Sequence, residues 1–295
     1  MFTASLDGLF PAPAREDIQR ALRIHDSHPK PSILDIGTGS GAWCIDMAKE
    51  FPDADVVGMD LVPVKASSVP PSNCHFEVGN ADTDLATTYA AESFDLIHAR
   101  SMMQGVKDFP SFFQNVRRML RSGGVLLIME GRLTTWDEDH REIECKEEGQ
   151  PGFSWFRKMI YHMYETLRTK NPNMRLMYRV TDCVRGMGDD VWERVDRFDL
   201  YIPIGDFDSP TSKQPFCLIR GTTISALSPV SPSQRLGGKF FAQNISMLPE
   251  SLRPMLLSSS LTPGEVDRLA LELKNELKEP KIKQFFQVSY LNPVP

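Results

Sequence analysis

The sequence lacks the features that mark several common functional classes. Its five cysteines lie apart at positions 44, 74, 145, 183 and 217 with no CxxC pair, which predicts reduced, mostly buried thiols rather than a disulfide framework. No apolar run is long enough to span a bilayer. No basic segment followed by an apolar core opens the chain, so we expect no secretory leader. These absences favour a cytoplasmic protein that does not bind a membrane.

Motifs of several other chemistries are also missing. The sequence has no Gly-x-Ser-x-Gly elbow, no His-Glu-x-x-His helix and no P-loop lysine, so nothing favours a serine hydrolase, a zinc protease or a P-loop enzyme. The net charge is −6 and no basic block occurs, which gives little electrostatic support for nucleic-acid binding. We expect no metal and no nucleic-acid partner.

The most informative segment that is present is residues 33–41, Ile-Leu-Asp-Ile-Gly-Thr-Gly-Ser-Gly. A short apolar run ends in the acid Asp35, and glycines follow at alternate positions. Glycine lets bare backbone approach a ligand, since any Cβ would block that approach. Residues 42–50 then carry apolar side chains three and four apart, which predicts a helix. Strand, glycine loop and helix together indicate the first half of a nucleotide- or nucleoside-binding α/β layer.

The glycines alone leave the ligand open. They also fit a dinucleotide fingerprint, with Ala42 in place of the third glycine. The predicted strand 55–60 ends in Asp60, 19 residues beyond Gly41, where an acid can accept bonds from ribose hydroxyls. A third predicted strand ends in the polar cluster of residues 79–82, which suits an adenine edge.

Hydrophobic periodicity predicts an alternation of strands and helices, typical of a mostly parallel sheet. Strands are predicted near 32–36, 55–60, 74–78, 93–98 and 123–130, with helices near 14–25, 41–50, 84–91 and 109–121. In the second half we predict helices over 153–169, 240–257 and 263–278, strands over 191–204 and 283–291, and loops over 206–215 and 228–234. Thr262 and Glu265 form a predicted capping box for the helix at 263. The charged segment 136–149 is expected to be exposed.

The ordered motifs resemble a class I S-adenosylmethionine methyltransferase. The residues behind the resemblance are 34–41, 59–61, 79–82, 93–100 and 116–130. Segments 94–100 and 201–205 resemble, more narrowly, the fungal methyltransferases of secondary metabolism, including the velvet-associated regulator type. The resemblance implies an α/β fold, a Rossmann-like three-layer sandwich whose mostly parallel seven-stranded sheet has an antiparallel last strand. It also implies one domain over 1–295, with a cofactor-binding half at 14–135, a helical insertion or substrate cap at 136–190, and 191–295 completing the sheet.

The resemblance further implies S-adenosyl-L-methionine as cofactor and a set of residues that hold it. The glycines would shape the loop under the methionine portion, Asp60 would bind the ribose, and Asp82 with the Ala81 backbone would meet the adenine amino group, with Asn80 and Asp84 as competitors for that role. The complete cofactor set is Asp35, Gly37, Thr38, Gly39, Gly41, Asp60, Leu61, Asn80, Ala81, Asp82, His98 and Ala99.

Three residues at the ends of the fourth and fifth predicted strands are candidates for catalysis, because those ends open into the crevice. His98 is either a general base or a buried histidine that fixes the turn. Arg100 is either a carboxylate anchor or part of a structural ion pair. Glu130 either faces the crevice or supports the loops around it. The candidate substrate pocket is Met103, Gln104, Trp155, Met159, His162 and Tyr201, although an apolar-aromatic stripe such as 155–162 is more often simple helix packing than a ligand site.

The function predicted from these features is methyl transfer to a small-molecule acceptor, by O- or N-methylation in a biosynthetic pathway. One alternative is a regulatory protein that binds the cofactor and acts through a protein partner. Others are a related fold recruited for cyclisation without methyl transfer and an NAD-dependent oxidoreductase. A homodimer is also compatible with the sequence.

Overall fold

A computed structural model of the protein describes eleven segments of the chain. They are residues 8–24, 30–66, 68–102, 105–170, 180–187, 191–192, 194–204, 216–220, 223–227, 232–259 and 261–294. Two candidate substrate residues, Met103 and Gln104, lie outside the described residues. The predicted loop at 206–215 and most of the one at 228–234 also lie outside them.

The first half alternates strands and helices as the periodicity predicts. Its strands are β1 (Ser32–Ile36), β2 (Asp55–Asp60), β3 (Cys74–Val78), β4 (Phe94–Arg100) and β5 (Leu120–Gly131). Its helices are α1 (Arg15–Ala21), preceded by a 3₁₀ turn at Ala12–Ala14, then α2 (Ala42–Glu50), α3 (Leu85–Thr88) and α4 (Phe109–Met119). The side chain of Asp108 caps α4 by accepting a bond from Ser111 N at 3.1 Å. Phe112, Phe113 and Val116, three and four residues apart, are buried on its inner face.

The second half adds two long strands, four short ones and a group of helices among the described residues. The strands are β6 (Thr135–Trp136), β7 (Glu142–Ile143), β8 (Arg194–Pro203), β9 (Phe216–Arg220), β10 (Thr223–Leu227) and β11 (Phe285–Val294). The helices are α5 (Trp155–Lys170), α6 (Val180–Arg185), α7 (Pro232–Ser251), α8 (Arg253–Ser258) and α9 (Pro263–Lys278). The helix predicted over 240–257 is two helices, α7 and α8, and begins earlier than expected. The Thr262–Glu265 capping box of α9 is present.

One sheet holds these strands, and its order defines the architecture. From one edge it runs β10-β9-β8-β11-β5-β4-β1-β2-β3. Strands β3, β2, β1, β4 and β5 are parallel to one another, whereas β11 is antiparallel to both β5 and β8. The α/β class, the mostly parallel first half and the antiparallel last strand are therefore confirmed.

The expected number of strands is wrong, because the described residues form eleven strands rather than seven. The extra members are short. The β9–β10 hairpin extends the sheet beyond β8, and β6 and β7 form a two-residue ladder at the beginning of β11. A strand of two residues, such as β6 or β7, is too short to show the alternation from which strands are predicted. The charged segment 136–149 is thus partly drawn into the sheet instead of lying wholly on the surface.

The parallel strands place their carboxyl ends at one edge. Ile36, Asp60 and Arg100 end β1, β2 and β4 there, and β5 ends beside them at Gly131. The start of β11 and the end of β8 reach the same edge, since Phe285 pairs with Pro203 and Val288 with Gly131. In parallel α/β sheets ligands bind in the crevice outside these ends, so this edge positions the candidate site.

Candidate functional site

The glycine loop after β1 brings bare backbone to the carboxyl edge. The N–H groups of Gly37 and Thr38 both donate to Met59 O, at 2.8 and 3.0 Å, and so tie the loop to β2. Gly37 has φ 73°, and a Cβ built on it would lie 1.9 Å from Met102 Sδ. Gly41 has φ 71°, and its Cβ would meet the ring of Phe76 at 2.4 Å. Both backbone angles favour glycine, and a Cβ at either position would have to displace a neighbouring side chain.

Asp60 closes the loop from the end of β2. Its Oδ2 accepts from Gly39 N at 2.7 Å, and its Oδ1 accepts from Val62 N at 3.2 Å. The carboxylate is only partly buried. It stands between the glycine loop and the next turn, with oxygens that can still accept bonds from hydroxyl groups of a ligand.

The turn after β3 forms the third part of the site. Asp84 Oδ2 accepts from Asn80 N at 2.8 Å, and this bond lowers the pKa of the Asp84 carboxyl. Asn80 Oδ1 accepts from Asp82 N at 2.9 Å, and Asp82 Oδ1 accepts from Lys107 N at 2.9 Å. Asp84 therefore shapes the turn, while Asp82 joins it to the segment that precedes α4.

A cleft of about 170 Å³ lies between these three parts. Six residues of the predicted cofactor set line it together, namely Gly37, Asp60, Leu61, Asn80, Ala81 and Asp82. Leu61 presents an apolar side chain that is 67% exposed. Met59, Met102 and Val106 complete the apolar part of the lining. The cleft thus offers glycine backbone, a carboxylate and an apolar wall. A nucleoside with a charged tail can use all three, so these residues fit the predicted cofactor.

Other members of the cofactor set lie beneath the cleft. Asp35, Thr38, His98 and Ala99 are each at most 3% exposed. Asp35 Oδ1 lies 2.7 Å from His98 Nδ1, and Asp35 Oδ2 accepts from Cys44 Sγ at 3.4 Å. These side chains join β1, β4 and α2 under the glycine loop.

The environment of His98 disfavours its charged form. Its ring stacks on Trp43 with centroids 3.9 Å apart, and Trp43 Nε1 donates to Leu9 O at 2.9 Å. Burial lowers the pKa of His98, the Asp35 carboxylate opposes this shift, and the nearby Arg100 guanidinium adds to it. Burial also raises the pKa of the Cys44 thiol far above its usual range. In the described structure the imidazole is sealed between Trp43 and Asp35 instead of facing the crevice.

Glu130 is buried and reaches across to the turn that follows β4. Its Oε1 accepts from Met102 N at 2.8 Å. The preceding residue, Ser101, has φ 55°, an uncommon conformation for a residue with a side chain. The carboxylate thereby holds a turn that places the Met102 side chain over Gly37.

The four candidate substrate residues that the structure describes do not come together. Tyr201, on β8, stacks on His140 with centroids 3.8 Å apart and meets Trp136 edge-on at 5.8 Å. Gln287 donates to its hydroxyl at 3.2 Å. This cluster lies at the carboxyl edge, near the ends of β8 and β5.

The other three described candidates lie on α5. Met159 is fully buried in the core, and His162 is half-buried, with a pKa that burial lowers. Trp155 lines a different cleft. Packing accounts for the Met159 part of the stripe. Met102, Trp43 and Trp136 are neighbours of the site that the sequence did not predict. Of these three, only Met102 had a signal in the sequence, namely its position just after β4.

Comparison with known proteins defines the class. Residues 10–162 match the family described as a methyltransferase domain. Because this match covers more than half of the chain, the chain belongs to that family. The methyl donor of the family is S-adenosyl-L-methionine, so the predicted cofactor is confirmed.

The relatives are fungal proteins, and several are named for secondary metabolism. The secondary metabolism regulator laeA of Coprinopsis cinerea is 27% identical over 262 residues, which cover 88% of this chain and 58% of that protein. The regulator LAE1 of Cochliobolus heterostrophus is 33% identical over 50% of this chain and 46% of its own length. Methyltransferase str2 of Strobilurus tenacellus is 40% identical over 32% of this chain and 34% of its own. These relatives confirm the narrower resemblance.

The chain spans about half the length of the curated regulators that it matches. No helix in the described segments is both long and apolar enough to cross a bilayer.

Proposed function

We propose that the protein transfers the methyl group of S-adenosyl-L-methionine to a small-molecule acceptor. The observation that carries this proposal is the cleft at the carboxyl edge, where the glycine loop, Asp60 and residues 80–82 meet. Family membership gives the donor, and relatives named as methyltransferases of fungi support turnover over binding alone.

In the proposed complex each part of the cleft has one task. The Gly37–Gly41 backbone lies against the methionine portion, the Asp60 carboxylate accepts from the ribose hydroxyls, and Asn80, Ala81 and Asp82 meet the adenine edge. The bound cofactor supplies an electrophilic methyl group. The protein then contributes mainly positioning and exclusion of water, and Met102, held over Gly37 by Glu130, covers the inner wall.

The acceptor is proposed to lie along the same edge, over the ends of β4 and β5. The Trp136–His140–Tyr201 cluster forms its far wall. The indole Nε1 of Trp136, which is a donor only, is buried without a hydrogen-bond partner among the described residues. We assign His98 and Glu130 positioning roles, because one is sealed under Trp43 and the other holds Met102 N. Arg100 remains the proposed anchor for an acidic acceptor.

The test is transfer of a labelled methyl group. The full chain is incubated with methyl-tritiated S-adenosyl-L-methionine and a low-molecular-mass extract of fungal mycelium, and small molecules are separated from protein. We expect label in a small molecule, reduced with Asp60→Asn and unchanged with the surface variant Asp53→Asn. Cofactor binding without label in any small molecule would contradict the proposal.

A second candidate is a regulator that binds the cofactor and acts through a protein partner. It is favoured by the relative that covers most of this chain, which is named a regulator. Label recovered on a co-purified protein, with none in small molecules, would favour it. We also propose a cytoplasmic location. Cys44, Cys74, Cys145 and Cys183 are free thiols, as a reducing compartment allows.

A further inference from the structure

A second cleft lies apart from the cofactor cleft. It opens between the segment from Gly149 to Trp155 on one side and, on the other, the C-terminal half of α9 together with residues 279–282 that follow this helix. Its volume is about 630 Å³, within the range of roughly 300–1,000 Å³ that small-molecule sites occupy. The two clefts share no lining residue, so the methyl-donor site does not account for it.

One wall of this cleft is aromatic. The rings of Phe153 and Trp155 meet edge to face, with centroids 5.0 Å apart at 84°. Lys158 Nζ and the Arg268 guanidinium already lie 5.4 and 5.3 Å from the Trp155 ring. Aromatic faces attract cations, and the Trp155 ring already has Lys158 and Arg268 of the same chain as its cationic neighbours. A ligand cation therefore has to use the Phe153 ring and the opposite wall.

The opposite wall is acidic. Glu272, Glu276 and Glu279 line it with one cation, Lys281. Glu276 is engaged, since its Oε2 accepts from Trp155 N at 2.6 Å and its Oε1 from Ser154 Oγ at 2.7 Å. It fixes the beginning of α5, where a carboxylate is favoured, and thereby holds the Trp155 ring in place. Glu272 and Glu279 supply the remaining negative charge.

A buried acceptor stands behind that wall. Gln284 is 2% exposed, and its Nε2 donates to Ser154 Oγ at 2.7 Å and to Glu276 Oε1 at 3.3 Å. Its Oε1 is buried without a hydrogen-bond partner among the described residues. Buried carbonyl oxygens are normally satisfied, so Gln284 leaves an unmatched acceptor beside Glu276, although Gln284 is not itself among the residues that line the cleft.

We propose that this cleft binds an organic cation with N–H donors, an alkylammonium or guanidinium group on a short apolar stem. The charge of the acidic wall and the Phe153 ring both select such a group, and the volume admits more than a single ion. The group can belong to a free amine or to a lysine or arginine of a peptide. The site is independent of methyl transfer, so its test needs no turnover.

The experiment titrates the full chain by calorimetry with spermidine, with a lysine-rich peptide, and with the neutral control n-butanol. The double variant Glu272→Gln/Glu279→Gln removes two charges and keeps the shape, while Glu16→Gln removes one exposed charge elsewhere. We expect one of the two cationic probes to bind more weakly as salt rises. The double variant should weaken binding by about tenfold, because it removes two carboxylates that would each contribute one modest charge interaction with the bound cation. Glu16→Gln should leave binding unchanged.

The identity of the probe that binds separates the sources. Spermidine binding that depends on the two carboxylates supports a free-amine site, and peptide binding alone supports a peptide site. No binding by either probe, equal binding to the double variant, or equal binding of n-butanol overturns the proposal. Phe153→Leu provides a second variant, because it removes the ring without touching the charges and should weaken the same probe.

Discussion

The bond between Glu130 and Met102 gives the sharpest single perturbation. Glu130 is 5% exposed, and its Oε1 accepts from Met102 N at 2.8 Å. A hydrogen bond to a charged group contributes about 1.5–3 kcal/mol, and a neutral one about 0.5–1.5 kcal/mol. Glu130→Gln keeps an acceptor but loses the charge, whereas Glu130→Ala loses the bond altogether.

Because Met102 covers Gly37 in the cofactor cleft, loosening its turn should weaken cofactor binding. Converted to affinity, we expect Glu130→Gln to raise the cofactor Kd about fivefold and Glu130→Ala about 10- to 100-fold. Calorimetry with S-adenosylhomocysteine measures both. Met102→Leu is the matched control, since it keeps the backbone N–H and nearly the same side-chain volume, and its Kd should change little.

The outcome separates positioning from proton transfer. A general base at Glu130 would leave the cofactor Kd intact in Glu130→Gln while abolishing turnover. An unchanged Kd in a folded Glu130→Ala variant would refute the reasoning, because the bond to Met102 N would then contribute nothing to the cleft.

Three further predictions follow from single contacts. Asp60→Asn should weaken cofactor binding about 10- to 100-fold by calorimetry, since the proposed charge-assisted bonds to the ribose would be lost, and the exposed Asp53→Asn should not. Burial lowers the pKa of His98 below 6.5, so below about pH 6.5 the unfolded chain binds more protons than the folded one. The free energy of unfolding should therefore fall as the pH drops, by at most about 1.4 kcal/mol per pH unit. Denaturant titrations should show a smaller pH dependence in His98→Asn and an unchanged one in His75→Asn. Thr262→Ala should lower the free energy of unfolding by about 1 kcal/mol, because the hydroxyl of Thr262 accepts from Glu265 N. Thr262→Ser keeps a hydroxyl and should retain the stability of the original protein. Equal melting temperatures for the two variants would contradict the capping role.

Local patterns predict the first half of the fold well. The strand at 32–36 and the helix after the glycine loop have the expected bounds within one residue. Runs of apolar residues and the glycines that end them determine such bounds over only a few neighbouring residues. The capping box of Thr262 and Glu265 is equally local, and its spacing alone predicts it. The lining of the cofactor cleft by Asp60 and Asp82 follows from strand ends that meet at one edge.

Contacts between distant segments could not be predicted. His98 meets Asp35 across 63 residues, and nothing near His98 in sequence indicates that Trp43 covers its ring. Glu276 holds Trp155 N across 121 residues. Such pairs depend on strand order and helix packing, which periodicity does not specify.

The stripe on α5 shows the same limit for side chains of one helix. Met159 and Trp155 have similar apolar character and lie four residues apart, yet Met159 is in the core and Trp155 lines the second cleft. Which side of a helix faces the protein depends on its partners, here α8 and α9. Sequence spacing can therefore group such residues but cannot say which cavity they line.

The central claim is that the cleft between Gly37, Asp60 and Asp82 holds the methyl donor. Calorimetric titration of the full chain with S-adenosyl-L-methionine, and separately with NAD⁺, tests it most directly. The account predicts one site for S-adenosyl-L-methionine that S-adenosylhomocysteine blocks and that Asp60→Asn weakens, with no heat from NAD⁺. Binding of NAD⁺ without binding of S-adenosyl-L-methionine would contradict it.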